Sequence, residues 1–534
     1  MNQDDIKAKI VNAHTALGIE LGSTRIKAVL VTDDFQTIAS GDFVWENELD
    51  HHIWTYPLSK VWEGVQTSYA KLAAKIEQEY GLHLTKIGTI GISAMMHGYL
   101  PFNRQGDLLV SFRTWRNNIT GEAAGKLTYL FDFNIPERWS IAHLYQAILN
   151  HEAHVKDIDF MTTLAGYVSW RLSGQKNIGI GDASGMFPID EASHNYDQKM
   201  LDQFAKLPEV AQFDWQIQDI LPKPLMAGEI AGYLTKAGAK LLDPSGDLEA
   251  GTIIAPCEGD AGTGMVATNA VRKRTGNISA GTSAFSMMVL EQKLHKVHRD
   301  IDMVTTPAGA PVAMVHTNNC SSDINAWVSL FGQFAKKLGV DLSTNELYEK
   351  LFDSSLSGDQ DAGGLVNFSY LSGENITKVA KGRPMLVRKP DSHFSLANVF
   401  KAQLYAAFAP LKIGMDILLR EEHIKSDVLI AQGGLFKTPV VAQQVLADVL
   451  NTPITVMSNA GEGGPWGMAV LALYALNNHD LSLADYLDQR VFVDAESSTL
   501  YPEPESVKGY ERFIDNYKAA LPAEVAAGKS MELK

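Results

Sequence analysis

The amino-acid sequence predicts a two-domain α/β protein, and three observations carry that prediction. Apolar runs of strand length alternate with longer stretches of helical periodicity along most of the chain. Two strand-turn-strand segments share one pattern: LGIELGSTRIKAVLVTDD at 17–34 and GNISAGTSAFSMMVLEQ at 276–292. Their glycines, Gly22 and Gly281, lie 259 residues apart in a chain of 534, close to half its length.

In chain order, the first hairpin turns at Gly22-Ser23-Thr24. The segment 59–79 has the apolar spacing of an amphipathic helix, and IGTIGISAM at 87–95 reads as a buried strand. VSWRLSG at 168–174 is a helix end closed by Gly174. VRKRTG at 271–276 brings in three basic residues and marks a boundary near 270–275. Beyond the second hairpin, 402–424 is helical, DVLIAQGG at 427–434 is a strand running into glycines, and 439–451 is a further helix. The expected domains are 16–272 and 273–496, followed by a peripheral helical tail at 497–534 that carries Pro, Glu and Lys.

With 46 Lys and Arg against 62 Asp and Glu, the formal charge is −16, and 46% of residues are hydrophobic. A soluble, acidic, globular protein is expected, with neither nucleic acid nor an anionic membrane as main partner, since both require clustered cations. Cys257 and Cys320 cannot build a disulfide framework, and neither stands at metal-ligand spacing from a histidine. The amino terminus has Asp4 and Asp5 where a signal peptide carries positive charge, and no run of about 18 apolar residues occurs. A cytoplasmic protein is the expectation.

Glycine at 22 lets backbone approach a phosphate, while the Ser23 and Thr24 hydroxyls and the amides can donate to its oxygens. Gly281-Thr282-Ser283 repeats the arrangement. One such turn is more often structural; two in matched halves suggest a nucleotide held by both. No G-x-x-x-x-G-K-[ST] loop is present. Ala431-Gln432-Gly433-Gly434-Leu435 lies between a strand and a helix, where open α/β sheets bind ligands. GEGGPWGMAVLA at 461–472 is a second glycine-rich helix entry, with Glu462 as a polar candidate. Cys257-Glu258-Gly259-Asp260-Ala261-Gly262 sets two carboxylates in a small-residue loop, and an aspartate there can orient a hydroxyl and accept its proton during attack on phosphorus. In isolation an Asp in such a loop is usually a turn residue. Met96-His97-Gly98 follows the 87–95 strand, and a lone histidine of this kind is usually structural.

Together and in this order, these pieces resemble the FGGY carbohydrate kinases, the sugar-kinase branch of the actin-like ATPases, from about residue 16 to about residue 475. The resemblance rests on both hairpins, MHG at 96–98, GDASGMFP at 181–188, Gly259-Asp260, YLSGEN at 370–375, AQGG…QQVLADVLNTPI at 431–454 and EGGPWGMA at 462–469. It implies two actin-like (RNase H-like) domains with an interdomain cleft, and ATP and Mg2+ as cofactors. Asp260 matches the family's catalytic base. Met96, His97 and Trp115, with Asp260, match its sugar pocket. Gly22, Ser23, Thr24, Lys27, Gly281, Thr282, Ser283, Gly433 and Gly434 match its ATP contacts, and Gln444 falls in the helix after the last two. Glu20 stands where the family usually has Asp, within reach of Mg2+ through water.

One departure bears on substrate. Xylulose kinases of the family commonly continue from the pocket Trp with Asn-Asp, whereas this chain reads Trp115-Arg116-Asn117-Asn118-Ile119. The implied activity is ATP-dependent phosphorylation of a ketopentose in pentose catabolism, of ribulokinase or xylulokinase type, with L-ribulose ahead of D-xylulose. Its partners are small molecules, sugar and ATP, and the family expectation is a homodimer. The alternative is a non-catalytic actin-like nucleotide switch or sugar sensor, against which an intact Asp260 argues.

Overall fold

The computed structural model describes residues 2–438, 440–457, 463–477 and 480–531. It divides into two compact units, neither of which is continuous in sequence. Unit 1 comprises Met1–Arg272, Asp302–Val312 and Glu462–Asp494; unit 2 comprises Lys273–Ile301, Ala313–Gly461 and Ala495–Lys534.

The compact units depart from the division into 16–272, 273–496 and 497–534 at two places. The helix Gly463–Asn477 belongs to unit 1, with Trp466 buried and its indole N–H donating to the Phe35 carbonyl at 3.0 Å. Arg272 then pairs with Asp485 and Asp488 on the chain that follows. The last helix, Pro504–Ser530, is not peripheral either. Tyr510, Phe513, Ile514 and Tyr517 make one apolar face and are buried in unit 2, where their rings meet Tyr405 and Phe368. Burying each such side chain is worth roughly 2 kcal/mol, which outweighs the Glu- and Lys-rich outer face.

The sheet of unit 1 runs Thr37–Val44, Arg25–Thr32, Thr15–Leu21, Thr89–Ala94, Ile253–Ile254, Gly232–Tyr233. The first two junctions are antiparallel, the next two parallel and the last antiparallel. Glu258–Gly259 pairs with the end of Thr89–Ala94. Unit 2 repeats the order with Pro311–Thr317, Ala284–Val289, Thr275–Ala280, Val428–Gln432, Ile454–Met457 and Ser497–Leu500. Its hairpin is antiparallel, the next two junctions are parallel, and the last is antiparallel.

Parallel neighbours need long crossovers, and helices supply them. Leu58–Tyr80, the helix expected over 59–79, stops at Gly81, whose φ of 68° is the left-handed conformation of a C-cap. Gly174 caps Leu164–Ser173 in the same way, as its sequence predicts. Strands in the parallel part are covered on both faces, so Thr89–Ala94 is buried at every position instead of alternating. Among the described residues one helix, Leu396–Glu421, is long and apolar enough to cross a membrane, and 78% of its apolar window is buried inside the protein.

Candidate active site

In unit 1 the strands Thr15–Leu21 and Arg25–Thr32 stay in register to Leu21 and Ile26, which leaves 22–25 as the turn. The Gly22 N–H closes it on the Arg25 carbonyl at 3.0 Å. The turn carbonyls are held from behind by aromatic residues. The Trp45 indole donates to Gly22 at 2.7 Å, the Tyr56 hydroxyl to Ser23 at 2.6 Å, and the Trp45 N–H to Thr24 at 3.2 Å. The two rings lie 4.2 Å apart. Thr24 is left exposed, and Gly22 and Ser23 partly so.

Glu20 and Lys27 face each other across this hairpin. Glu20 is half-buried, and its Oε2 has no hydrogen-bond partner among the described residues. The carboxyl rests on Gly464, in the first turn of Gly463–Asn477, where a methyl group would overlap Oε2. Loss of water, and then the charge of Asp260, push Glu20 up to about 8, against the pull of Lys27 and of a hydrogen bond from Thr263.

Asp260 is not in a loop, as its small-residue surroundings predict, but is the first residue of the helix Asp260–Ala267. Glu258 and Gly259, just before it, pair with Ser93 and Ala94. The helix N-terminus favours a negative charge there. The Met96 N–H donates to Asp260 Oδ1 at 3.3 Å. The carboxyl keeps solvent-accessible surface, yet the protein crowded round it removes enough water to push it up to about 6, while the Met96 and Ala261 N–H groups pull the other way.

His97 and Gly98 follow with φ of 70° and 100°. Their segment lies beside 112–115, joined by paired backbone bonds between Tyr99 and Arg113. His97 is buried, with Nδ1 3.4 Å from the Gly185 carbonyl and its ring stacked toward Trp139. Trp115 is 38% exposed. Asn117 stands in the stretch where the sequence departs from the xylulose kinases. It is buried, with Oδ1 accepting from the Trp54 N–H and Nδ2 donating to the Trp54 and Thr114 carbonyls, so its amide is already committed to backbone.

In unit 2 the register runs to Ala280 and Ala284, and the turn is 281–283. Its carbonyls are held mainly by backbone: Cys320 N–H to Thr282 at 2.9 Å, and Ser321 N–H to Gly281 at 3.0 Å, with the Ser321 hydroxyl also on Gly281 at 2.6 Å. Pairing of Ser279 with Gln432 sets Gly433 and Gly434 beside this turn, both exposed. Gly433 has φ 116°, open only to glycine, and lies directly on the Ala280 carbonyl. Gln444 donates to Asp448 and to the Tyr501 carbonyl and is occupied inside the unit. Glu462 lies outside the described residues. Among the described residues no group of three His, Cys, Asp or Glu side chains could hold a metal ion.

Sequence reasoning missed Trp45 and Tyr56, which carry no motif. It also missed Asp182, which is fully buried with Oδ2 accepting from the Thr163 hydroxyl at 2.6 Å. Glu258, its neighbour in the electrostatics, is buried as well and is no loop carboxylate.

Two units with one strand order, each led by an antiparallel hairpin, define the architecture of the actin-like ATPases. The N-terminal domain of the FGGY family of carbohydrate kinases matches residues 15–267, and the C-terminal domain of that family matches 276–476. The chain belongs to the FGGY family of carbohydrate kinases. A ribulokinase of Staphylococcus aureus is 24% identical over 414 residues, covering 73% of this chain and 69% of its own. A xylulose kinase of Klebsiella pneumoniae is 22% identical over 480 residues, covering 86% and 90%. A ligand-bound xylulose kinase from Lactobacillus acidophilus is similar in structure, with a TM-score of 0.77 at 17% identity over 97% of this chain and 100% of that one.

Proposed function

We propose that the protein is an ATP-dependent ketopentose kinase, with L-ribulose the favoured substrate and D-xylulose next. The observation that carries this reading is Asp260, an accessible carboxyl at a helix N-terminus that accepts from the N–H of Met96, the residue before His97. With its pKa pushed up to about 6, Asp260 is largely ionised at neutral pH and basic enough to take the proton of a sugar hydroxyl as that oxygen attacks the γ-phosphorus. Met96, His97 and Trp115 shape the sugar site beside it.

Phosphoryl transfer demands alignment and charge neutralisation. Gly22, Ser23, Thr24 and Lys27 in unit 1, and Gly281, Thr282 and Ser283 in unit 2, are the residues that take the phosphates of ATP; Gly433 and Gly434 lie flat against the adenosine. Mg2+ enters with ATP as part of the substrate and neutralises phosphate charge. Glu20 fits it: its Oε2 has no hydrogen-bond partner among the described residues, and a cation beside it would bring its carboxyl down from about 8.

The choice of a ketopentose follows the activities of the relatives, a ribulokinase and a xylulose kinase. The Asn117 amide, spent on backbone, gives no reason to rank the two sugars, and their order is what the sugar panel decides. The test is ADP release by the purified protein with Mg-ATP and L-ribulose, D-ribulose, D-xylulose, L-xylulose, gluconate or glycerol, with Asp260→Asn as control. A response to one ketopentose that the variant loses is expected. ADP release stimulated by glycerol or gluconate alone overturns the substrate class, and an active Asp260→Asn overturns the base.

A further inference from the structure

The strand residues 257–259 that deliver Asp260 are clamped on both sides. On one side Glu258 and Gly259 pair with Ser93 and Ala94; on the other the Gly179 N–H donates to the Cys257 carbonyl at 2.8 Å. The Glu258 side chain turns inward and is 2% exposed. Its Oε1 accepts from the Gly181 N–H at 3.2 Å. Methyl groups at Gly179 and Gly181 would overlap the carboxyl, so two glycines hollow out the space it fills. Gly181 has no positive φ that would demand glycine for its backbone.

The turn that receives Glu258 continues to the sugar side. The Gly185 N–H donates to the Asp182 carbonyl at 3.1 Å, and the Gly185 carbonyl faces His97 Nδ1. Glu258 therefore ties the strand that ends in Asp260 to the turn that supports His97. Burial, and then the nearby Asp182, push its pKa well above the usual carboxylate range. Glu258 Oε2 and Asp182 Oδ1 are both buried and without partners among the described residues.

We infer that Glu258 is a positioning residue for the phosphoryl transfer, a buried brace that fixes the Asp260 carboxylate relative to His97 through the turn 179–185. The inference rests on the proposed kinase reading and concerns a residue that touches neither sugar nor nucleotide.

The experiment is steady-state kinetics of the full chain with the sugar that the ADP-release panel identifies, on Glu258→Ala, Glu258→Gln, Gly181→Ala and the Gly181→Ala/Glu258→Ala double variant. Nucleotide binding stoichiometry counts the folded sites. The alanine variant is expected to lose about tenfold in kcat per folded site with the KM for ATP within about twofold of wild type, because the misplaced group acts in the transition state. Glutamine keeps the acceptor oxygen and the shape and restores kcat to within about threefold of wild type. Gly181→Ala slows the enzyme by crowding the carboxyl, and the double variant is no slower than Gly181→Ala alone, because the two changes act on one contact. If Glu258→Ala does not fold, Gly181→Ala and Glu258→Gln carry the test. Unchanged kcat in Glu258→Ala or in Gly181→Ala overturns the inference, as does a glutamine variant as slow as alanine. A wild type silent with every sugar overturns the kinase reading itself, a separate failure.

Discussion

In unit 1 the turn 22–25 hangs from side chains, the Trp45 indole and the Tyr56 hydroxyl; in unit 2 the turn 281–283 hangs from the backbone of Cys320 and Ser321. Register makes the first turn four residues and the second three. The strand position two before each turn glycine differs too, Glu20 in unit 1 and Ser279 in unit 2. The same hairpin, used twice, is thus acidic and supported from outside in one unit, neutral and supported by the chain's own path in the other. Backbone supports survive any single substitution except to proline, which lacks the N–H, whereas side-chain supports do not. Unit 1 is where substitution can change the protein most.

The sharpest break of the comparison is Asp260→Asn. Sugar-dependent turnover should fall by at least about a hundredfold, the scale of a lost general base, with nucleotide affinity by calorimetry nearly unchanged. In the wild type, kcat/KM should rise with pH through about 6 as Asp260 loses its proton. Trp45→Ala comes next. Removing a buried Trp whose indole also holds the Gly22 carbonyl should cost roughly 3–5 kcal/mol in chemical unfolding followed by unit 1 tryptophan signals.

Glu20 supplies a pH test. Its folded pKa, about 8, lies above the ordinary 4.5, so the folded state favours the protonated form. Stability from this group is complete below about 4.5 and is lost as pH rises through about 8. Glu20→Gln should therefore raise the melting midpoint progressively more between those limits, in buffer without nucleotide or Mg2+, and a difference independent of pH would remove Glu20 as the cause. The smallest effects distinguish the two supports. Tyr56→Phe should cost about 1 kcal/mol by leaving the Ser23 carbonyl short of a donor, and Ser321→Ala less, because the backbone N–H of Ser321 stays on Gly281.

What the sequence disclosed was local. Both hairpins, the helix stop at Gly174 and the strand entering Gly433 could be read because each is written in adjacent residues. Asp260 was read as a loop residue because DAGTGMVA holds few strong helix formers, and tertiary packing overrides that weak propensity. Nothing in WRNNI shows that Trp54, 63 residues earlier, uses the Asn117 amide. The apolar positions 510, 513, 514 and 517 did carry helical spacing, but among Pro, Glu and Lys they suggested a surface helix, not a core one. No residue in 463–477 announces which sheet that helix covers.

That last helix sets a timetable for synthesis. Gly18 and Gly91, in neighbouring strands of unit 1, touch Pro465, Met468 and Ala469. A ribosome that has finished the strand at Gly259 must add about 200 further residues before this cover exists, which takes on the order of 10–40 s at about 5–20 residues per second. For that interval one side of the nascent sheet is bare, and unit 2 emerges in the meantime. A fragment ending before residue 463 is therefore made without this cover.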